Sequence, residues 1–311
     1  MSLPPRAPPV AAYWPTGRPH PPPSLASAGD MTWAVHAGNP LIQAALPSLE
    51  LADPSFLPPS ETPDGQWHLF ARDLQGLRHY RSADGLRWSL LRGVVARLAS
   101  RPHLLCDRGR TYLVTERGHA PWSAGPPQIE LRSSADLLTW TAPRALLRPS
   151  LPWHREGGIA RVGAPCLLKV GDRFRLYYSA GMGGLLGLAE ADRLESAFTP
   201  EPEPLPSLGP AGGPAALKVL PCADGFLGVH STLSSDQAGG EVRLLRSADG
   251  RSFAPLAETP IRTARGPSGA PALDARWDEG HLLLYFTAPG ARLGRGGVGL
   301  AVGAQGTSRS R

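Results

Sequence analysis

The chain is short of lysine and cysteine and has no long apolar run. Of its 32 basic residues only Lys169 and Lys218 are lysines, and the arginines are scattered, with no run of four basic residues. A nucleic-acid surface needs a concentrated basic stripe. The formal charge of +6 therefore reads as compositional bias, and no nucleic-acid partner is expected. Cys106, Cys166 and Cys222 lie far apart and form no CxxC or Cys/His cluster, which argues against a disulfide framework or a structural zinc site. They are expected as buried thiols in a reducing, cytoplasmic setting. No stretch of 18 apolar residues occurs, so a membrane-spanning helix is excluded.

Proline is what the chain has in quantity, 35 residues, and its placement is informative at two scales. Residues 1–30 are proline-rich without a continuous apolar core, so they read as a disordered or polyproline-like leader, and Met31 could itself be a start. Residues 306–311 read as a disordered tail. Between them, five segments repeat one pattern, in which a proline precedes an apolar run, a turn and a second apolar run rich in aromatics. The marker prolines are Pro54, Pro102, Pro165, Pro214 and Pro271. Their spacing suits one four-stranded unit with loops of varying length. Turns such as Asp64-Gly65, Gly171-Asp172 and Asp224-Gly225 supply the positive-φ residues of tight hairpins. Third runs such as Leu77–Ser82, Ile129–Ser133 and Val242–Ser247 alternate apolar with polar, as half-buried strands do. Three of them lead into related turns, Ser82–Trp88, Ser134–Trp140 and Ser247–Phe253, which read as structural aspartate-capped hairpins like the Asp-box turns of other propellers. With no helical segment recognisable, the expected fold is all-β, a five-bladed β-propeller of four-stranded antiparallel blades over residues 31–305. A two-sheet sandwich is the alternative, and it does not require five equivalent units.

In a propeller the start of each innermost strand and the end of the next strand share one face near the axis. That geometry selects Asp53, Arg101, His103, Gly163, Gly212 and Gly269 at strand-one starts. It selects Arg72, Asp73, Glu116, Arg117, Ser179, His230, Ser231 and Thr287 at strand-two ends, with Trp153, His154, Arg155 and Glu156 in the loop leading into the third unit. Carboxylates and arginines bind sugar hydroxyls, and an aromatic face covers the apolar side of a sugar ring. Each of these residues could equally be a solvated rim charge or part of a salt bridge between blades.

The ordered pattern Asn39-Pro40-Leu41, Ala52-Asp53-Pro54-Ser55-Phe56, Ser82–Trp88, Arg101-Pro102-His103 and Gly163-Ala164-Pro165 resembles glycoside hydrolase families 43 and 32. The similarity spans about residues 33–303 and lies in repeat layout more than in identity. It implies an enzyme acting on a glycoside, with Asp53 as base or nucleophile. A second-unit aspartate of those families is replaced here by Arg101 and His103, and their catalytic glutamate by Gly163, which can neither give nor take a proton. A displaced acid, Glu156 or else Glu116, is therefore expected, with Arg101, His103, Asp73, Trp153 and His230 binding the substrate and no metal or cofactor required. The chain is expected to act as a monomer, and two other readings stay open: a non-catalytic carbohydrate-binding propeller, and a scaffold that docks a protein on its rim through Arg292–Arg295 or the leader.

Overall fold

The computed structural model describes residues 21–118, 125–182, 184–206, 215–233, 239–264, 272–288 and 296–305. A short helix, α1 (Leu25–Gly29), leads into β1 (Met31–Val35) and β2 (Ile42–Gln43). Blade one is β3 (Ala52–Leu57), β4 (Trp67–Asp73), β5 (Gly76–Ser82) and β6 (Ser89–Ala96). Blade two is β7 (Ala99–Asp107), β8 (Arg110–Arg117), β9 (Gln128–Ser134) and β10 (Arg144–Leu147). Blade three is β11 (Val162–Val170), β12 (Arg173–Ala180), β13 (Leu185–Ala191) and the two-residue β14 (Thr199–Pro200). Blade four is β15 (Ala215–Cys222), β16 (Gly225–Leu233), β17 (Gly239–Ser247) and β18 (Ala254–Ala264). Blade five is β19 (Leu273–Asp278), β20 (His281–Ala288) and β21 (Gly297–Gln305), with β1 as its outermost strand.

Among the described residues every pairing is antiparallel; blades one to four are four-stranded meanders, and in blade five the β19–β20–β21 meander is completed by β1, with β2 also pairing to β21. The five-bladed propeller expected from the repeats is the fold found. Its closure was not legible in the repeats, because β1 pairs with β21 across almost the whole chain, Met31 opposite Gln305 and Val35 opposite Ala301. Joining the two ends of the ring in one sheet leaves no open seam between first and last blade.

Hydrophobic burial explains the ring. Inner strands such as β3 are buried along their whole length, because a blade packs on a neighbour through each face. The apolar side chains form five clusters, one at each blade interface. Phe70 and Leu57 meet Leu104 and Leu113 between blades one and two. Val114 and Ile129 meet Leu176 and Tyr178 between two and three, and Tyr177 meets Leu217 and Val219 between three and four. Leu227 and Val229 meet Leu282 and Leu284 between four and five, and Tyr285 and Val302 return to Phe56 and Trp67 of blade one. The aspartate-capped turns tie the same interfaces. Asp84 Oδ1 accepts from the Leu86 and Arg87 amides, and the turn carbonyl of Gly85 accepts from the Tyr285 hydroxyl of blade five at 2.7 Å. Gly250 does the same for Tyr177 of blade three.

One boundary needs correction. The expected leader does not run to residue 30, since Ser24 caps α1 through its hydroxyl and Ala28 is fully buried. The Pro23 carbonyl accepts from the Ala223 amide and the Leu25 amide donates to Asp224, so this segment is fastened to the hairpin of blade four. Residues 1–20 and 306–311 lie outside the described residues, as do Gly212, Gly269, Pro214, Pro271 and Arg292–Arg295.

Candidate active site

Three blades carry the same irregularity where their first strand begins. Asp53, Arg101 and Ala164 each precede a proline and each have positive φ, 54°, 49° and 48°. Each stands at a break in register between strands one and two, at Ala52/Ser55, Ser100/His103 and Gly163/Cys166. A left-handed non-glycine residue costs about 1–3 kcal/mol, and a bulge re-aims the groups beside it. What is aimed here is one amide per bulge. The Arg101 amide donates to Asp53 Oδ2 at 3.3 Å, and the Ala164 amide donates to Glu116 Oε2 at 3.2 Å. Each of these two bulges thus holds the carboxylate presented by the blade before it.

Two charged groups result. In the first, Asp53 is 2% exposed and accepts from Arg72 Nε at 2.9 Å, while its own amide donates to Thr287 Oγ1 of blade five. Burial alone would raise its pKa, but the Arg72 and Arg101 guanidinium groups and the two hydrogen bonds hold it below the ordinary carboxylate value. On the other side of Arg72 lies Glu50, to which no sequence pattern pointed. Its Oε2 is 3.8 Å from Arg72 Nη2. Burial, opposed by Arg72 and helped by the Asp53 charge, pushes its carboxyl up to about 7.

In the second group Glu116, with no exposed surface, accepts from Arg101 Nη1 at 2.9 Å and bidentately from Arg161 Nε and Nη2 at 2.9 and 2.8 Å. Arg161, likewise unmarked by any sequence pattern, also reaches Ser179 Oγ and the Gly181 carbonyl. Gly163 is explained by space. A Cβ built on it would fall 1.9 Å from Glu116 Oε2, so this carboxylate fills the position from which the resemblance led one to expect a glutamate side chain.

Two residues after Asp53, Arg101 and Ala164 the first strands of blades one to three carry Ser55, His103 and Cys166, and the first strands of blades four and five carry Lys218 and Asp274. All five are buried. Asp274 Oδ2 accepts from the Ser55 hydroxyl at 2.7 Å and from the Phe56 amide. Its Oδ1 is 3.4 Å from His103 Nδ1 and 3.9 Å from Lys218 Nζ. His103 Nε2 faces the Leu167 carbonyl at 3.0 Å and the Cys166 sulfur at 4.0 Å. Burial works against charge on His103, yet Cys166 and Asp274 raise its pKa, and Asp274 is held low by His103, Lys218 and Arg276 despite its own burial. His103 therefore belongs to a buried ion-paired cluster on the axis.

Several expected contributors are placed elsewhere. Asp73 accepts from the Gln75 and Gly76 amides and from Arg78 Nε, so it caps the β4–β5 hairpin. Trp153 stacks on Tyr178 with ring centroids 5.8 Å apart and donates to the Pro202 carbonyl, which makes it packing for blade three. His154 is fully buried beside it. Its Nδ1 accepts from the Ser150 and Leu151 amides, which leaves Nε2 to donate to the Tyr178 hydroxyl, and burial lowers its pKa to about 4. His230 is buried, and burial and Arg243 lower it likewise to about 4. Glu156 is exposed on the loop Pro152–Gly158, and its backbone carbonyl accepts from the Met182 amide. The axis thus brings together Asp53, Arg72, Arg101 and Glu116 of the expected set, adds Glu50 and Arg161, and places His103 beside them in the buried cluster.

No family model matches the sequence, and no curated protein matches it. Among solved structures the fold is that of propellers from carbohydrate-active proteins. The catalytic domain of the Coprinopsis cinerea GH62 alpha-L-arabinofuranosidase superposes with a TM-score of 0.63 at 16% identity, over 89% of this chain and 98% of that one. The GH43 endo-arabinanase from Bacillus licheniformis gives 0.57 at 16%, over 80% and 92%. The beta-1,2-mannobiose phosphorylase from Listeria innocua gives 0.61 at 10%, over 88% and 96%. At these identities the likeness establishes the five-bladed fold; activity has to be argued from the site.

Proposed function

We propose that this chain is a glycoside hydrolase whose axial site takes a carbohydrate and whose Asp53 carboxylate is the base or nucleophile. Asp53 carries the reading. It opens the innermost strand of blade one at a strained, bulged position, and its immediate partners keep it ionised, the state a base or nucleophile needs. The arrangement of arginines and carboxylates at one end of the axis suits sugar hydroxyls, and propellers of the same shape include an arabinofuranosidase and an arabinanase. Of the two glutamates expected as acid, Glu116 is already engaged by two arginines and an amide. A protonated carboxyl there would have to turn its O–H toward one of those donors.

The engagement of Glu116 also favours a second reading, a propeller that binds carbohydrate without cleaving it. A panel of 4-nitrophenyl glycosides, including the alpha-L-arabinofuranoside, assayed with and without inorganic phosphate, separates the two. Hydrolysis is expected, reduced about 10²–10⁴-fold in Asp53→Asn. Unchanged turnover in Asp53→Asn removes the assignment, and binding without turnover by the wild type selects the second reading.

A further inference from the structure

We propose that Glu50 is the proton donor of this site, acting with Asp53 across the Arg72 guanidinium. The inference rests on the hydrolase reading and names the acid that the pairing of Glu116 leaves lacking. Three features of the geometry support it. First, Glu50 and Asp53 are separated by one guanidinium group, Arg72 Nε bonding Asp53 at 2.9 Å and Nη2 lying 3.8 Å from Glu50. Second, Arg72 Nη2 and Glu50 Oε2 face each other, and neither has a hydrogen-bond partner among the described residues. A buried donor and acceptor that face each other without a hydrogen bond need an explanation, and an oxygen hydrogen-bonded to both would supply it. Third, the Glu50 side chain keeps 17% of its surface against 1% for Asp53. Its backbone is fixed on both sides, since the Leu49 carbonyl accepts from the Gly296 amide and the Leu51 amide donates to the Gly296 carbonyl.

The two carboxyl groups are also pushed apart in acidity. Glu50 sits near 7 and Asp53 below its ordinary value, so at neutral pH one can carry a proton while the other is ionised, the division of labour that acid–base cleavage requires. Arg72 and Asp53 are the charged groups that act on Glu50, with opposite signs. In the reaction Glu50 gives its proton to the glycosidic oxygen as the C–O bond to the leaving group breaks. Water forms the new bond to the anomeric carbon and loses its proton to Asp53. Solvent then returns a proton to Glu50 and takes one from Asp53.

The test uses leaving groups that differ in their need for a proton. On 4-nitrophenyl glycosides Glu50→Gln is expected to lower kcat about 10²–10⁴-fold. On the corresponding 2,4-dinitrophenyl glycosides, whose phenolate departs unassisted, the loss should be under tenfold, and the alkaline limb of the kcat/KM profile should disappear. Glu50→Asp is the conservative variant and should restore part of the activity. Equal losses on both leaving groups, or an alkaline limb that survives Glu50→Gln, would overturn the assignment while leaving Asp53 standing. Asp53→Asn by contrast should fail on both substrates, and if it does not, the assignment of Asp53 falls. An infrared difference between wild type and Glu50→Gln should show a protonated carboxyl at pH 6 that is gone at pH 9. Its absence at pH 6 overturns the proposal whichever glycosides are cleaved, and a wild type that cleaves none removes both claims.

Discussion

Gly163→Ala asks a methyl group to occupy space already taken by a carboxylate. The new Cβ would lie 1.9 Å from Glu116 Oε2, 2.3 Å from its Cδ and 2.7 Å from Arg161 Nη2, where real contacts stay beyond 3.0 Å. The backbone is bound on both strands here, Gly163 pairing with Ser179, so the carboxylate must retreat, by at least about an ångström. That takes Oε2 beyond the reach of Arg101 Nη1, Arg161 Nη2 and the Ala164 amide, which now lie at 2.9, 2.8 and 3.2 Å. Breaking a buried pair outright costs about 3–5 kcal/mol. Because Oε1 can keep Arg161 Nε, the lower end applies, about 3 kcal/mol, or a fall in Tm of about 6–12 °C at about 2–4 °C per kcal/mol. Thermal and urea denaturation read the loss. In a Glu116→Ala background the obstruction is gone, so the same substitution should cost under about 1 kcal/mol, a coupling well above the scatter of independent sites. A Gly163→Ala protein within about 0.5 kcal/mol of wild type, or an equal loss in both backgrounds, would refute the claim that Glu116 fills this space.

Asp274→Asn keeps the shape but removes the anion that faces His103 and Lys218. Denaturation should show a loss of about 3 kcal/mol or more, and a neutral result would mean that the axial cluster is not held by charge. His154 and His230 both fall from an ordinary 6.5 to about 4, so between those values the unfolded chain binds more protons than the folded one. Stability should therefore drop as pH falls from about 6.5 to 4, and a Tm that stays flat or rises over that window contradicts their neutral burial. His103 has the opposite sign. Its raised pKa contributes stability below 6.5 that is lost as pH rises through the folded value, so an isolated His103→Gln should flatten the alkaline side of the Tm profile.

The number and kind of blades, and the position of Asp53, could be read from local pattern. Marker prolines, hairpin turns and alternating runs are short-range signals, and the bulged Asp53-Pro54 step lies within one of them. The three aspartate-capped turns were equally plain, because Ser82, Asp84 and Trp88 lie within seven residues of one another. Closure of the ring was a different matter. Nothing local in Met31–Val35 says that its partner is Gly297–Gln305, since that pairing is decided by which blade edge remains unfilled. The same holds for the chemistry at the axis. Arg161 and the Ala164 amide reach Glu116 of blade two only because blades two and three stack, and that contact is what makes a glycine fit at 163 and a glutamate there unnecessary for filling the space. Glu50 carried no sequence signal at all. Its acidity comes from burial beside Arg72 and Asp53, a property of surroundings that exists only once the chain has folded.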